Sequence, residues 1–178
     1  MENFLMSITS QPDDTNFLSP LGYKFSISKL PNFDYFVQGI DFPTLQLNRT
    51  PDMQTPFNKI IVPGDHLTFE EFSVTFKIDE DMYGYFELYD WIVGIGKPVS
   101  FDQYAALSSA GPGQGVEVDA DLIILNNVMN PNIKVTFHDV IPVSLSGFRM
   151  DSTLTDVAYL TATVTFKYRD YEYTRLAT

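Results

Sequence analysis

Cysteine is absent from this chain of 178 residues. That absence excludes disulfides, thiolate metal sites and a cysteine nucleophile. Histidine is nearly absent too. His66 and His138 are the only two, and neither has sequence neighbours at the spacing of a zinc site, which takes at least three protein ligands. Basic residues are scarce: 11 Lys and Arg stand against 23 Asp and Glu, for a formal net charge of −12. Such a surface lacks the basic footprint of a nucleic-acid binder and repels an anionic bilayer. No apolar run approaches the roughly 18 residues of a membrane-spanning helix. The opening residues, Met1-Glu2-Asn3-Phe4, carry an acid where a signal peptide carries a base, so a cytoplasmic origin is expected.

What remains is aromatic and strand-like. Phenylalanine contributes 15 residues and tyrosine 10, against one tryptophan. Such side chains pack well on a pleated sheet, and a disordered chain would have few of them. The length suits one domain with a sizeable core. Residues 1–20 read as an N-terminal arm, with a turn at Gln11-Pro12-Asp13-Asp14, and 21–178 as the folded domain.

Strand-period alternation begins at Tyr23, Phe25 and Ile27. Pro31-Asn32 reads as a turn, Tyr35 to Ile40 as a second strand and Leu45-Gln46-Leu47 as a third. The apolar rhythm then stops over 48–58, where an exposed loop is expected, longer than most hairpin connections. Ile60-Ile61-Val62 reads as a short strand, Pro63-Gly64-Asp65 as a turn, and Phe72, Val74, Phe76 and Ile78 as one face of a clear strand.

At Asp79 the period changes. Met82, Tyr85, Phe86, Tyr89, Ile92 and Val93 recur at helical spacing, which predicts a helix over 81–95 with that face packed and Trp91 near a packed surface. Asp79, Glu80 and Asp81 precede it, where the helix dipole favours anions. Gly84 inside the helix costs about 1 kcal/mol against alanine, so tertiary packing must hold it. Residues 102–121 read as an insertion that includes the flexible stretch 108–115. Beyond it, Leu122 to Leu125 and Ile133, Val135 and Phe137 are strands, with Val143 and Leu145 on a neighbouring segment. The final strand, expected from Ala158 to Arg169, is the longest at about 40 Å.

These elements describe an antiparallel β-sandwich or partly closed barrel with one flanking helix. The long last strand would leave unpaired backbone groups at an edge, and a neighbouring subunit would cover them. Nothing supports catalysis. Carboxylates cluster at Glu70-Glu71, at 79–81 and at Glu117, Asp119 and Asp121, without calcium-loop spacing or a nucleophile-elbow serine. No cofactor or metal site is expected.

The ordered set Gly64, Asp65, Phe69, Phe72, then Asp79 and Glu80, then Asp90 and Trp91 resembles the tail tube proteins of contractile-tailed (myovirus-type) bacteriophages. The segments from Ile133 to Asp139, Ile141 to Ser146 and Thr163 to Tyr171 are similar to that family's closing sheet, so the resemblance spans residues 21–171. It implies a non-enzymatic structural subunit in the virion tail, assembled in the host cytoplasm. Six copies would form a ring and rings would stack into a tube, with neighbouring sheets joined around a lumen. It implies a helix packed outside the sheet through Tyr85, Phe86, Tyr89, Trp91 and Ile92, and a ring-stacking loop at Arg49, Thr50, Pro51, Asp52, Met53 and Gln54. The implied partners are further copies of the chain, the sheath, and baseplate or neck proteins. DNA would pass the lumen without specific binding, and no membrane is involved. The alternatives are an initiator or terminator ring at one end of the tube and, from another class, a soluble β-sandwich binding module.

Overall fold

The computed structural model describes residues 15–48, 53–54, 59–60, 64–97, 102, 104–105, 115–153, 155 and 159–176. Among these residues the elements run, in order: β1 (Tyr23–Ile27), α1 (Pro31–Tyr35), β2 (Val37–Asp41), β3 (Leu45–Leu47), β4 (Met53–Gln54), β5 (Lys59–Ile60), β6 (Leu67–Phe69), β7 (Phe72–Lys77), α2 (Tyr83–Gly96), β8 (Val118–Leu125), β9 (Pro131–Leu145), β10 (Thr161–Lys167) and β11 (Asp170–Arg175).

Seven strands form one antiparallel sheet in the order β1-β8-β9-β10-β7-β2, with β11 also paired to β9. The sheet folds into two layers because β9 serves both. Its first part pairs with β8 and β11, its last part with β10, and the change falls between Val140 and Ile141, just past Asp139, whose φ of 55° is left-handed. One layer is therefore β1-β8-β9-β11 and the other β9-β10-β7-β2. The sheet does not close: β1 and β2 are its two path ends.

Alternation builds the core between the layers. Phe72, Val74 and Phe76 point inward from β7, and Ala162, Val164 and Phe166 from β10, while the intervening threonines and serine are partly or fully exposed. Phe72 stacks on Phe137 at 4.7 Å and on Phe166 at 5.3 Å, tying the layers together. Apart from tyrosine and tryptophan, no polar or charged residue among those described is buried, and the Tyr168 hydroxyl is a lone polar group inside the core.

Several expectations need correction. Pro31 opens α1 rather than a turn, since its fixed φ suits the first helical position. The second strand therefore starts at Val37, not Tyr35. Within 48–58, Met53–Gln54 pairs with Lys59–Ile60, so part of the expected loop is a short ladder. Arg49 to Asp52 and Ile61-Val62 lie outside the described residues. Val143 and Leu145 belong to β9 itself, which at 15 residues is the longest strand. The expected last strand is instead two. β10 ends at Lys167, Tyr168 stays in the core, and the amide of Arg169 donates to the His138 carbonyl (3.0 Å) as the chain crosses into the other layer. β10 is also a central strand, flanked by β7 and β9, so the exposed edges lie elsewhere. Finally, β8 begins at Val118, inside the segment read as an insertion, and Val118 and Ala120 are core residues.

Candidate assembly interface

Sequence alternation says which face of a strand is buried. Hydrogen-bond parity says which strand is unfinished. The amide of Leu125 donates to the carbonyl of Gly22 (2.8 Å), so the even-numbered residues at β1 face β8. Tyr23, Phe25 and Ile27 then direct their backbone groups away from the sheet. Among the described residues only the last is occupied: the Ile27 amide donates to both carboxylate oxygens of Asp34 at 2.9 and 3.2 Å, and its carbonyl accepts from Leu30 (3.0 Å). Burial pushes the Asp34 carboxyl up, against the pull of the Ile27 amide, Ser26 and Lys24.

The opposite edge of this layer follows the same logic. The Leu176 amide donates to Asn132 (2.8 Å), so even-numbered residues of β11 face β9, and Tyr171, Tyr173 and Arg175 face outward. Among the described residues no strand lies beyond β1 or β11. A groove of 380 Å³ runs beside the free side of β1, between Tyr23, Lys24 and Phe25 on one wall and Asp34, Tyr35 and Val37 on the other. A second, apolar cavity of 520 Å³ opens between β1 and β2, lined by Leu18, Tyr23, Ile40, Phe42, Leu122 and Ile124.

The outer face of the same layer is polar. Asp119 and Asp121 (β8), Asp170 and Glu172 (β11), and Lys24 and Lys134 project from it. Lys134 pairs with Asp121 at 3.0 Å. His138 sits between Asp119 (3.6 Å) and Glu172 (3.8 Å), and Arg169 contacts both Asp139 and Asp170. No group of three or more His, Asp or Glu among the described residues could hold a metal ion.

α2 covers the other side of the molecule, rotated from its expected orientation. Its buried stripe is Gly84, Leu88 and Trp91 with Gly94, whereas Phe86 (50% exposed) and Tyr89 (51%) face outward and Ile92 is half-buried. Tyr85 packs edge-on against Phe148 at 5.3 Å. Trp91 is buried, donates its indole N–H to Val116 (3.1 Å) and carries the Lys29 ammonium 4.6 Å above its ring. Burial lowers the Lys29 pKa. Gly84 packs on α1, where a Cβ would stand 3.4 Å from the Phe33 Cα, at ordinary van der Waals contact.

The remaining predicted residues are dispersed. Phe72 is central to the core. Phe69 lies on the β3–β6 ribbon and packs against Tyr168 (5.9 Å) and Tyr171 (5.7 Å). Gly64 sits at the foot of that ribbon, where a Cβ would fall 1.4 Å from the Asn48 carbonyl oxygen, so only glycine fits. Asp65 is exposed beside His66. Asp79 accepts from the Tyr83 amide (3.0 Å) at the start of α2, while Glu80 and Asp90 are exposed. Met53 and Gln54 lie in β4, and Arg49, Thr50, Pro51 and Asp52 lie outside the described residues. The edge groups of β1 and β11 and the Asp34 plug were not among the expected site residues. Edge status depends on which strands meet in space, and the alternating Tyr171 and Tyr173 after Arg169 are the only local signal.

A two-layer antiparallel sandwich with an outer helix and an open-edged layer defines a class of β-protein that can be extended side by side. The chain has the fold of tube-type proteins of contractile injection systems. It superposes on a chain of the PVC extracellular contractile injection system sheath–tube complex in its extended state with a TM-score of 0.58, at 12% identity, covering 91% of this chain and 94% of that one. The anti-feeding prophage tube-terminating cap gives 0.61 at 10% identity, covering 96% and 100%. Hcp1 from Flavobacterium johnsoniae gives 0.52 at 10%, covering 91% and 100%. No family model matches the sequence, and no curated protein sequence does.

Proposed function

We propose that this chain is a structural subunit of a phage-type contractile tail tube, with six copies per ring and rings stacked around a lumen. The observation that carries this reading is the pair of free edges on the layer β1-β8-β9-β11. They lie on opposite sides and run antiparallel to each other, so a copy can be added at either edge without inversion, keeping the same face toward the same side. Such a heterologous contact closes into a ring or propagates. The likeness to a chain of a sheath–tube complex supports the same role.

On this reading the polar outer face lines the lumen and the exposed ridge of α2 faces the sheath. Five carboxylates against two lysines and Arg169 on that face, with a net charge of −12 for the chain, favour passage of DNA without adhesion, because like charges repel the phosphates. The ribbon of β3 and β6 carries the 48–58 segment toward the adjoining ring. Baseplate or neck proteins meet the tube at its ends, and assembly precedes release of the virion from the host cell.

The likeness to a tube-terminating cap favours a second reading, an end ring. Electron micrographs of concentrated purified protein separate the two. A tube subunit gives long hollow filaments with six-fold end views, an end ring gives single hexamers, and a population of monomers contradicts both. Replacing Pro51-Asp52-Met53-Gln54 with a Gly-Ser link should leave the melting temperature unchanged and shorten the filaments. Filaments of full length would remove the loop from the stacking contact.

A further inference from the structure

Resting on the tube-subunit reading, we propose that β1 of one copy pairs antiparallel with β11 of the next in a single register that sets Lys24 opposite Glu172. The partner at each free edge is a second copy of this chain, and charge selects which of its edges is used.

Parity limits the options. The outward groups of β1 are those of Tyr23 and Phe25, and the outward groups of β11 are those of Tyr171, Tyr173 and Arg175. Placing Tyr23 opposite Tyr173 and Phe25 opposite Tyr171 makes two hydrogen-bonded pairs, so every free amide and carbonyl of Tyr23 and Phe25 finds a partner. It also places four aromatic side chains on the core-facing side, where cross-strand aromatic pairs stabilise a sheet. On the other face, Lys24 meets Glu172. Both are exposed, Glu172 with 71% of its side chain accessible. The groove beside β1 leaves room for the incoming strand.

Neighbouring registers fail for stated reasons. Sliding β11 by two residues one way calls on the Ile27 amide, which Asp34 already occupies. Sliding it the other way sets Phe25 against Arg169, whose own amide is committed to His138 and which lies outside β11. Self-pairing fails on charge. Two β1 strands centred on Lys24 oppose lysine to lysine, and two β11 strands centred on Glu172 oppose glutamate to glutamate, which is destabilising. The unlike edges are the matched ones, and that match gives a ring in place of a two-fold dimer. Asp34 thus acts as a stop that ends the seam at Phe25.

The cysteine-free chain allows a direct test. Lys24 and Glu172 would form a non-hydrogen-bonded pair with Cα atoms about 4.5 Å apart, within disulfide range. Within one copy the two positions sit on opposite edges of a four-stranded layer, about 14 Å apart, so any bridge must link two copies. The Lys24→Cys, Glu172→Cys double variant, oxidised at assembling concentration, should run as a ladder of multimers on a denaturing gel. The shifted control, Ser26→Cys with Glu172→Cys, should not. Lys24→Glu alone and Glu172→Lys alone should each raise the concentration needed for assembly about five-fold, and the combined reversal should restore it. If oligomers form in all variants yet the first pair gives no ladder, or the shifted pair does, the register is wrong while the tube reading stands. If the unmodified chain stays monomeric when concentrated, both fail.

Discussion

The space between the two layers and the outer edges of one layer are built from the same residue types, yet they are finished to different degrees. Between the layers, Phe72, Phe137 and Phe166 are almost wholly buried and in ring contact. At the edges, Tyr23 and Phe25 complete their side-chain packing inward while their backbone groups face outward, and Tyr173 is 70% exposed. The interior is complete within one copy, and on the proposed reading a second copy completes the edges. The cap at Ile27 sharpens the contrast: where the free edge is to end, the chain supplies its own carboxylate.

If this division is right, damage to the interior and damage to the edges should separate cleanly. Val164→Asp places an unpaired carboxylate at a fully buried site, costs about 4 kcal/mol or more, and should abolish the folded circular dichroism signal. Tyr173→Pro removes an outward amide from an edge strand, where proline is tolerated. The melting temperature of the dilute protein should hold within a few degrees while assembly disappears from sedimentation profiles. A variant that lost both together would blur the distinction.

Two smaller effects probe each region with protons. The Tyr168 hydroxyl is buried without a hydrogen-bond partner, and burial, aided by Tyr171 and Glu70, pushes its pKa up to about 12. A folded pKa raised above the ordinary 10 means the stability it contributes is full below pH 10 and lost as pH rises toward 12. Tyr168→Phe should equal or exceed the parent by about 1 kcal/mol at pH 7, and should lack the parent's alkaline loss in pH-dependent melting. Asp34 is the counterpart at the edge. Its raised carboxyl pKa means that stability is fullest in acid and declines as pH climbs through the folded value. The melting temperature of Asp34→Asn relative to the parent should therefore rise between pH 3 and pH 7, and a flat difference would refute the shift.

Buried strand faces were legible in the sequence because alternation reports burial directly. Phe72, Val74 and Phe76, and likewise Ala162, Val164 and Phe166, lie where their spacing places them. The face of α2 was not legible. Two of its inward positions are Gly84 and Gly94, which carry no apolar signal, while the outward Phe86 and Tyr89 carry a strong one. The crossing at Tyr168 was hidden for a related reason: alternation continues unbroken as the chain leaves one layer for the other. Among the residues that carry the resemblance, Gly64 stands where its tight approach to Asn48 leaves no room for a Cβ. Edge status was invisible, because it is fixed by pairings between strands such as β1 and β8 that are about a hundred residues apart.

Amide hydrogen exchange at Tyr23, Phe25, Tyr171 and Tyr173, followed from dilute to concentrated protein, addresses the unfinished layer without any mutation. The account predicts fast exchange at these four amides in the single copy and strong protection once copies associate, with core amides such as that of Val164 protected throughout. Equal protection at every concentration would mean that the layer is already complete in one chain. Association that left the four amides exposed would mean that copies meet somewhere else.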